Sequence, residues 1–165
     1  MLRKPENKIR DEKRKYLGKI GEDLGVQLLR DNGFIDISNT NEISNNDAYC
    51  DLKATKDGIV YIFSVKARNK YEFNKTKNTF RINSRYKLGS KCFEHAEIQE
   101  IKYKATAAWL TIALDKKTYS AYWGLLSEIA PNKGVNMSAR ATITYRKLAE
   151  EFPHSFEFHR FSNIY

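Results

Sequence analysis

The residues of this chain best suited to chemistry lie around one aspartate and one lysine. The segment contains Asp51-Leu52-Lys53-Ala54, a turn with Asp57-Gly58, and then Phe63-Ser64-Val65-Lys66-Ala67-Arg68. Ser64 and Lys66 are two residues apart, so in a strand they point to one face, and that face meets Asp51 if the two halves form a hairpin. Carboxylate oxygens are ligands that Mg²⁺ prefers, and Asp51 is the carboxylate that we assign to such an ion.

A hairpin is also what the surrounding sequence predicts. Strand-like apolar runs cover about 50–54 and 59–67, and Lys56-Asp57-Gly58 between them has the composition of a tight turn, which indicates an antiparallel pair. Upstream, apolar residues recur at three- and four-residue steps from about Asp11 to Arg30. This spacing predicts an amphipathic helix that ends at Asn32-Gly33, before a short strand at 35–38.

The second half of the chain predicts a similar mixture of elements. They are a strand at 79–83, a helix from Cys92 to about Ala105, strands at 107–114 and 118–125 around Asp115-Lys116-Lys117, a strand at 140–144, and a helix at 145–152 with Thr144 as N-cap. This order indicates an α/β (α+β mixed) fold with a central mixed sheet flanked by helices. We expect one domain over 1–165, with 1–10 as a flexible basic extension, because no repeat or linker interrupts the chain.

Charge is the most informative bulk property of the sequence. The 165 residues include 29 Lys and Arg against 20 Asp and Glu, a net charge of +9, which suits a partner that carries phosphates. Nine basic residues and one acid lie between Lys66 and Lys91, interleaved with aromatic and amide side chains. From this run we expect nucleic-acid contacts by Arg68, Lys70, Lys75, Lys77, Arg81 and Arg85. For the mixed-sign run in residues 1–20, a solvated face is the favoured interpretation and nucleic-acid contact the alternative.

Other classes of protein are excluded by what the sequence lacks. Cys50 and Cys92 lie far apart and outside any Cys-x-x-Cys or Cys/His cluster, so neither a disulfide scaffold nor a zinc module is indicated. No run approaches the ~18 apolar residues of a membrane span, so we expect a cytoplasmic, nucleic-acid-associated protein with no membrane partner. Surface or partly buried positions are expected for His95, His154 and His159, and core positions for Trp109 and Trp123.

The segment around Asp51 resembles the active-site hairpin of a known nuclease family. Asp51, the turn, the apolar strand and Ser64-Val65-Lys66 followed by an arginine are similar to that hairpin in the PD-(D/E)XK superfamily, which has the restriction-endonuclease-like fold. The upstream run Gly18-Lys19-Ile20-Gly21-Glu22 and the later Gly33-Phe34 resemble that family's first helix, with a glutamate after a glycine and an end at Gly-Phe. Holliday-junction resolvases share this layout, and the resemblance covers about residues 16–70.

The resemblance implies a metal-dependent DNA endonuclease with Mg²⁺ or Mn²⁺ as its cofactor. It implies a metal ligated by Asp51 and by the carbonyl oxygen of Val65, with Lys66 orienting or deprotonating the attacking water. Glu22, from the helix, would reach the metal through a water molecule. A carboxylate-held Mg²⁺ can activate the water, neutralise charge at the phosphorus and assist the leaving alkoxide, which are the needs of phosphodiester hydrolysis.

The sequence departs from the family pattern at one important position. Ser64 stands where the family has aspartate or glutamate, and a neutral hydroxyl should hold Mg²⁺ less tightly. Glu22 is the obvious donor of a compensating carboxylate. The proline that precedes the family's aspartate is also missing, because Tyr49-Cys50 stand before Asp51. The four expected catalytic positions are thus Asp51, Lys66, Glu22 and Ser64.

Several alternatives stay open on the sequence alone. The nuclease is favoured because a purely binding protein has no need of a lysine directed at a water, yet Ser64 favours a degenerate member of the same fold that binds nucleic acid without cutting. A basic RNA-associated or assembly module is the third possibility. Asp47 is the rival of Asp51 as metal ligand. DNA is the expected partner, and a homodimer stays open.

Overall fold

The protein is built around a mixed β-sheet. The computed structural model describes residues 5–43, 48–83, 85–89, 91–115, 118–129, 134–136 and 146–151. The helices of these residues are α1 (Pro5–Asp31), α2 (Thr40–Ile43) and α3 (Lys91–Tyr103), with a 3-10 turn at Leu126–Glu128. The strands are β1 (Ile35–Asn39), β2 (Leu52–Lys56), β3 (Ile59–Asn69), β4 (Tyr71–Asn74), β5 (Thr79–Ile82), β6 (Arg85–Lys87), β7 (Thr106–Asp115), β8 (Thr118–Leu125), β9 (Gly134–Asn136) and β10 (Arg146–Glu151). None of the helices in these ranges is long and apolar enough to span a bilayer.

The described strands form one large sheet and two small ones. The order in the large sheet is β1-β2-β3-β7-β8-β10, while β4 pairs with β5 and β6 with β9. The predicted hairpins are confirmed, because β2 and β3 are antiparallel, as are β7 and β8. Strands β3 and β7 are parallel, and the chain between them includes α3. The expected mixed α/β fold with a central mixed sheet is therefore present.

Helices cover the two faces of the large sheet. On one face, α1 contributes Ile20, Leu24 and Leu28 to a core with Phe63 and Leu110. On the other face, Ala96 of α3 packs in a second core that also contains Ile62, Trp109 and Tyr122. Trp109 and Trp123 are buried, as predicted. Because neighbouring strand residues point to opposite faces, this double covering explains why β7 is apolar along almost its whole length.

Helix α1 begins earlier than the sequence predicts and ends where it predicts. It starts at Pro5 rather than about Asp11, so residues 5–10 of the predicted flexible extension are helical. Proline suits the first position of a helix, because the N–H there has no partner within the helix and the fixed φ of proline is close to the helical value. The helix ends before Gly33, whose φ of +82° is the left-handed conformation that terminates many helices.

The predicted helix at 145–152 is wrong for the part of it that is described. Residues Arg146–Glu151 form β10, which pairs antiparallel with β8. Local propensity favours a helix there, but β8 would otherwise present the backbone N–H and C=O groups of its outer edge, and pairing satisfies them. The predicted strand at 140–144 and the N-cap Thr144 lie outside the described residues.

Two glycines of α1 allow the helix to approach the sheet closely. A Cβ atom added to Gly21 would lie 2.8 Å from Cβ of Ala67, and one added to Gly25 would lie 2.8 Å from Cδ1 of Leu52. Gly18, one turn earlier, has no heavy atom within 4 Å of the same position. The glycine spacing in this helix therefore sets the distance between α1 and strand β3.

This contact predicts a position-dependent effect of alanine in α1. Gly21→Ala should lower the free energy of unfolding by about 1–3 kcal/mol, the usual cost of overpacking. The matched control Gly18→Ala should raise it by up to about 1 kcal/mol, because alanine favours the helix and meets open space. Urea unfolding followed by circular dichroism measures both, and equal effects of the two variants would contradict the close approach of α1 to β3.

Candidate functional site

Asp51 lies at the point where β2 begins beside β3. The backbone N–H of Asp51 donates to the carbonyl oxygen of Phe63 at 2.8 Å, and the ladder between the strands ends at the Leu52–Phe63 pair. Strand β3 continues past this point, and the N–H of Val65 donates to Oδ2 of Asp51 at 2.7 Å. Since the N–H and C=O of one strand residue point to the same edge, the Val65 carbonyl lies on the edge that Asp51 faces.

The backbone before Asp51 is held in place by two side chains. Tyr49 has a φ of +77°, an uncommon conformation for a residue with a side chain, and its hydroxyl donates to the Ala108 carbonyl oxygen at 2.6 Å. The buried Thr40 donates its backbone N–H to the Asp51 carbonyl oxygen at 3.0 Å, and its hydroxyl donates to the carbonyl of Cys50. These bonds orient Asp51 against β3.

Glu22 joins the same site from α1 through two amide side chains. Nδ2 of Asn39 donates to Oε2 of Glu22 at 2.7 Å, and Nδ2 of Asn41 donates to Oε1 at 2.9 Å. The Asn41 amide also lies 3.4 Å from Oδ1 of Asp51, so it bridges the two carboxylates. Gly21, beside Glu22, provides the close approach of α1 that this arrangement needs.

Asn39 and Asn41 are functional candidates that the sequence analysis missed. Oδ1 of Asn39 accepts the backbone N–H of Asn41 at 2.9 Å, the bond of a helix N-cap, at the start of the short helix α2. The sequence signal was a pair of asparagines directly after a predicted strand. Such a pair indicates a turn when only the local sequence is considered. The hydrogen bonds of the two asparagines to Glu22 form only in the folded chain.

The environment of Asp51 opposes its ionisation. Burial raises the pKa of the Asp51 carboxyl above its ordinary value, and the neighbouring Glu22 adds to the rise. The ammonium of Lys66 and the hydrogen bonds from Val65 and Asn41 act in the opposite direction. A nearby cation therefore stabilises the ionised carboxylate, and Lys66 supplies part of that charge.

This pKa shift predicts how the stability of the fold depends on pH. A carboxyl whose pKa is higher in the folded chain binds more protons there than in the unfolded chain. The free energy of unfolding therefore falls as the pH rises from the unfolded to the folded pKa of the carboxyl. Asp51→Asn should remove this fall, and the variant should melt at a higher temperature than the native protein near neutral pH. The difference should shrink below about pH 4, where the unfolded carboxyl is also protonated.

Thermal melts followed by circular dichroism across a pH series measure this effect. Asp57→Asn is the matched control, because Asp57 lies exposed in the β2–β3 turn with a φ of +52° that asparagine tolerates. The control should change stability by less than about 0.5 kcal/mol, as surface substitutions do. A variant Asp51→Asn that is less stable than the native protein at neutral pH would contradict the expected cost of the buried charge.

Ser64 and Lys66 share a face of β3, as predicted. Both line a cavity of about 290 Å³ on the side of the sheet that α3 covers, together with Tyr86, Cys92 and His95. Ser64 is buried, while the Lys66 ammonium lies 5.8 Å from the centroid of the Tyr86 ring. Lys66 thus lines this cavity, and its charge also acts on the carboxylate of Asp51.

The donor atoms of the site fit one hard, partly hydrated cation. No group of three or more His, Cys, Asp or Glu side chains is arranged for a metal ion in the described part of the chain. The available donors are the carboxylates of Asp51 and Glu22 and the carbonyl of Val65. Each carboxylate has about four acceptor positions, and the hydrogen bonds given above occupy two on each. Mg²⁺ keeps several waters and needs no more protein ligands than these. Asp47, the rival ligand, lies outside the described residues.

A basic cleft of about 650 Å³ opens beside Lys66. Its basic walls come from two distant segments, namely Arg10, Lys13 and Arg14 of α1 and Lys66 and Arg68 of β3. The Arg68 guanidinium carbon lies 4.3 Å from the centroid of the Tyr86 ring, which also lines the cleft. Burial lowers the pKa of Lys13, with Glu72 acting against the shift. Three residues of the N-terminal basic run therefore line the cleft.

Four other predicted nucleic-acid contacts do not line this cleft, namely Lys70, Lys75, Lys77 and Arg81. Lys75 and Lys77 are exposed in the turn between β4 and β5, and the Lys70 ammonium lies 5.9 Å from the centroid of the Tyr71 ring. Arg81 forms an ion pair with Glu72 at 3.1 Å. The side chain of Arg85 lies outside the described part of the structure, as do His154 and His159.

Taken together, these groups can bind a cation and a phosphate side by side. The carboxylates and the Val65 carbonyl offer oxygen ligands, Lys66 offers a proton donor or acceptor, and the cleft offers several cations for an extended polyanion.

No protein-family model matches the sequence, and the search of curated proteins finds no match either.

Proposed function

We propose that the protein is a metal-dependent DNA endonuclease of the PD-(D/E)XK type, with a restriction-endonuclease-like fold. The observation that carries this proposal is the arrangement at the edge of β3. There the Asp51 carboxylate accepts a hydrogen bond from the Val65 N–H, and the charge of Lys66 acts on the same carboxylate. Aspartate, backbone and lysine are the groups that the family resemblance implies for catalysis.

Two further features support the proposal. Glu22 is linked to Asp51 through Asn41, so a second carboxylate lies near Asp51 and could compensate for the neutral Ser64. The basic cleft includes Lys66 in its lining, so a polyanion held there passes next to the candidate catalytic groups. Phosphates bound by the cleft would therefore be presented to the site.

The proposed roles of the chain's own groups follow from these positions. Asp51, the Val65 carbonyl and Glu22 would hold Mg²⁺ or Mn²⁺, which supplies charge neutralisation and an activated water when bound. Lys66, whose charge acts on the Asp51 carboxylate, would orient or deprotonate that water. The cleft arginines hold the phosphates next to the scissile one, which limits the motion of the substrate.

The test of this proposal is a cleavage assay on several forms of DNA. The purified protein should cut plasmid, linear or branched DNA in the presence of Mg²⁺ or Mn²⁺, and EDTA should stop the reaction. Binding to DNA without cleavage in either metal would reject the nuclease. A protein that neither binds nor cuts DNA would reject the proposal as a whole.

A binding protein of the same fold is the second candidate, and Ser64 is the observation that favours it. Ser64→Asp places a carboxylate where the family has one, beside Lys66 in the 290 Å³ cavity. Calorimetry should show tighter Mn²⁺ binding by Ser64→Asp than by the neutral control Ser64→Asn, because ligand charge sets the affinity of such sites. A gain of cleavage that appears only in Ser64→Asp would assign the native chain to this second function.

A further inference from the structure

The hairpin formed by β4 and β5 has one apolar face. The pairs Tyr71–Ile82 and Phe73–Phe80 lie opposite each other in its ladder, so their four side chains share that face. The Phe80 side chain is 63% exposed, Tyr71 43% and Ile82 41%. The rings of Phe73 and Phe80 lie 5.2 Å apart, edge to face. A two-stranded hairpin of this kind gains little stability from side chains that stay in water.

The hairpin is nevertheless held firmly at both ends. At its base, the N–H of Lys70 donates to the Leu114 carbonyl at 2.6 Å, and the N–H of Asn83 donates to the Lys70 carbonyl at 2.8 Å. At its tip, Oδ1 of Asn74 accepts the N–H groups of Thr76 and Lys77 at 3.0 and 3.2 Å. The base of the hairpin is therefore joined to β7, and its tip is a hydrogen-bonded turn.

The opposite face of the hairpin belongs to the basic cleft. Glu72 and Arg81 are paired on that face, and Glu72 lines the cleft. The hairpin thus separates the basic cleft from the apolar face. A strand of nucleic acid that passes around it can place its phosphates on one side and its bases on the other.

Charge decides which partner suits the apolar face. Between residues 70 and 82 the chain has four basic residues, Lys70, Lys75, Lys77 and Arg81, and one acid, Glu72, which is already paired with Arg81. In a symmetric dimer this net-positive patch would face a second copy of itself, and charges of the same sign repel. A single strand of nucleic acid supplies phosphates for the lysines and ring faces for the aromatic side chains.

We propose that the apolar face of the β4–β5 hairpin stacks against unpaired bases of the bound nucleic acid, with Phe80 and Tyr71 as the stacking side chains. The substrate class is then DNA that carries single-stranded nucleotides next to a duplex, such as a tail, a flap or a branch point. This inference rests on the proposed function for the duplex in the cleft, and it is tested through binding without any cleavage step.

The experiment compares two DNA ligands in a metal-free buffer by fluorescence anisotropy. One is a blunt duplex and the other is the same duplex with a short single-stranded tail that contains 2-aminopurine. Phe80→Ala and Tyr71→Ala should each weaken binding of the tailed duplex by about 5- to 100-fold, the range for loss of one stacked base. Binding of the blunt duplex should change by less than about twofold. The native protein should quench the 2-aminopurine fluorescence, and Phe80→Ala should relieve the quenching.

The controls separate base stacking from simple apolar contact and from dimerisation. Phe80→Leu keeps an apolar side chain but not a ring, so it should behave like Phe80→Ala; native affinity in this variant would overturn the proposal. Equal binding of tailed and blunt duplex by the native protein would also overturn it. So would a native dimer that Phe80→Ala converts to a monomer while tailed-duplex binding is unchanged. A lack of cleavage by the native protein affects the proposed nuclease function only, because the tail preference is measured independently.

Discussion

Asp51→Asn should lower the rate of metal-dependent DNA cleavage by at least about three orders of magnitude. The substitution removes the charge that would hold the proposed metal, while it keeps the size of the side chain and an oxygen that can accept the Val65 N–H. Loss of metal assistance costs several kcal/mol in the transition state, and each 1.36 kcal/mol is about tenfold in rate. DNA binding in metal-free buffer should stay within about threefold of the native value, because Asp51 makes no attractive contact with phosphates.

Lys66→Met should lower the same rate by about two to four orders of magnitude, the usual range for general acid–base catalysis. Lys53→Met is the matched control, because it removes the same charge from the neighbouring strand β2, where Lys53 lies 5.5 Å from the Tyr103 ring centroid. The control should reduce the rate by no more than a few fold. Full activity in Asp51→Asn, or equal losses in Lys66→Met and Lys53→Met, would show that cleavage does not depend on this site.

Neutralising Arg10, Lys13 and Arg14 together should weaken duplex DNA binding by about two orders of magnitude at low salt. Each lost contact to a phosphate is worth about 1 kcal/mol or more, and three add up to roughly a hundredfold. If each of the five cleft cations meets one phosphate, the slope of log affinity against log salt should be about −4 to −5 for the native protein. The triple glutamine variant should flatten it to about −2.

A second triple variant on the same helix provides the control for this experiment. Lys8, Lys15 and Arg30 are exposed residues of α1 that do not line the cleft, and their replacement by glutamine removes the same total charge. We expect this control to change the slope by less than about one unit, since it removes no direct phosphate contact. If the two variants lose affinity equally, general attraction by net charge causes binding and the cleft is not the contact surface. The same salt series with Lys75 and Lys77 replaced shows whether the hairpin tip adds to the slope, as the sequence predicts.

Local patterns predicted most of the elements that carry the site. The spacing of Leu24 and Leu28 predicted α1, and the Asp57-Gly58 turn predicted the β2–β3 hairpin that sets Asp51 beside Val65. The helix predicted over Arg146–Glu151 is wrong because a contact with a distant strand decides the structure of these residues. These residues favour a helix locally, but the edge of β8 selects a strand, and no local pattern carries that information.

The sequence by itself determined the chain's charge, its helix α1, the β2–β3 and β7–β8 hairpins, and the alternation that puts Ser64 and Lys66 on one face. These features depend on residues a few positions apart, whose side-chain periodicity and turn preferences act within one element. Only the tertiary structure decided that β3 pairs in parallel with β7, that Asn41 links Glu22 to Asp51, and that Arg10, Lys13 and Arg14 line the same cleft as Arg68. Those contacts join distant segments because burial of apolar faces and pairing of backbone groups are satisfied by the whole chain together.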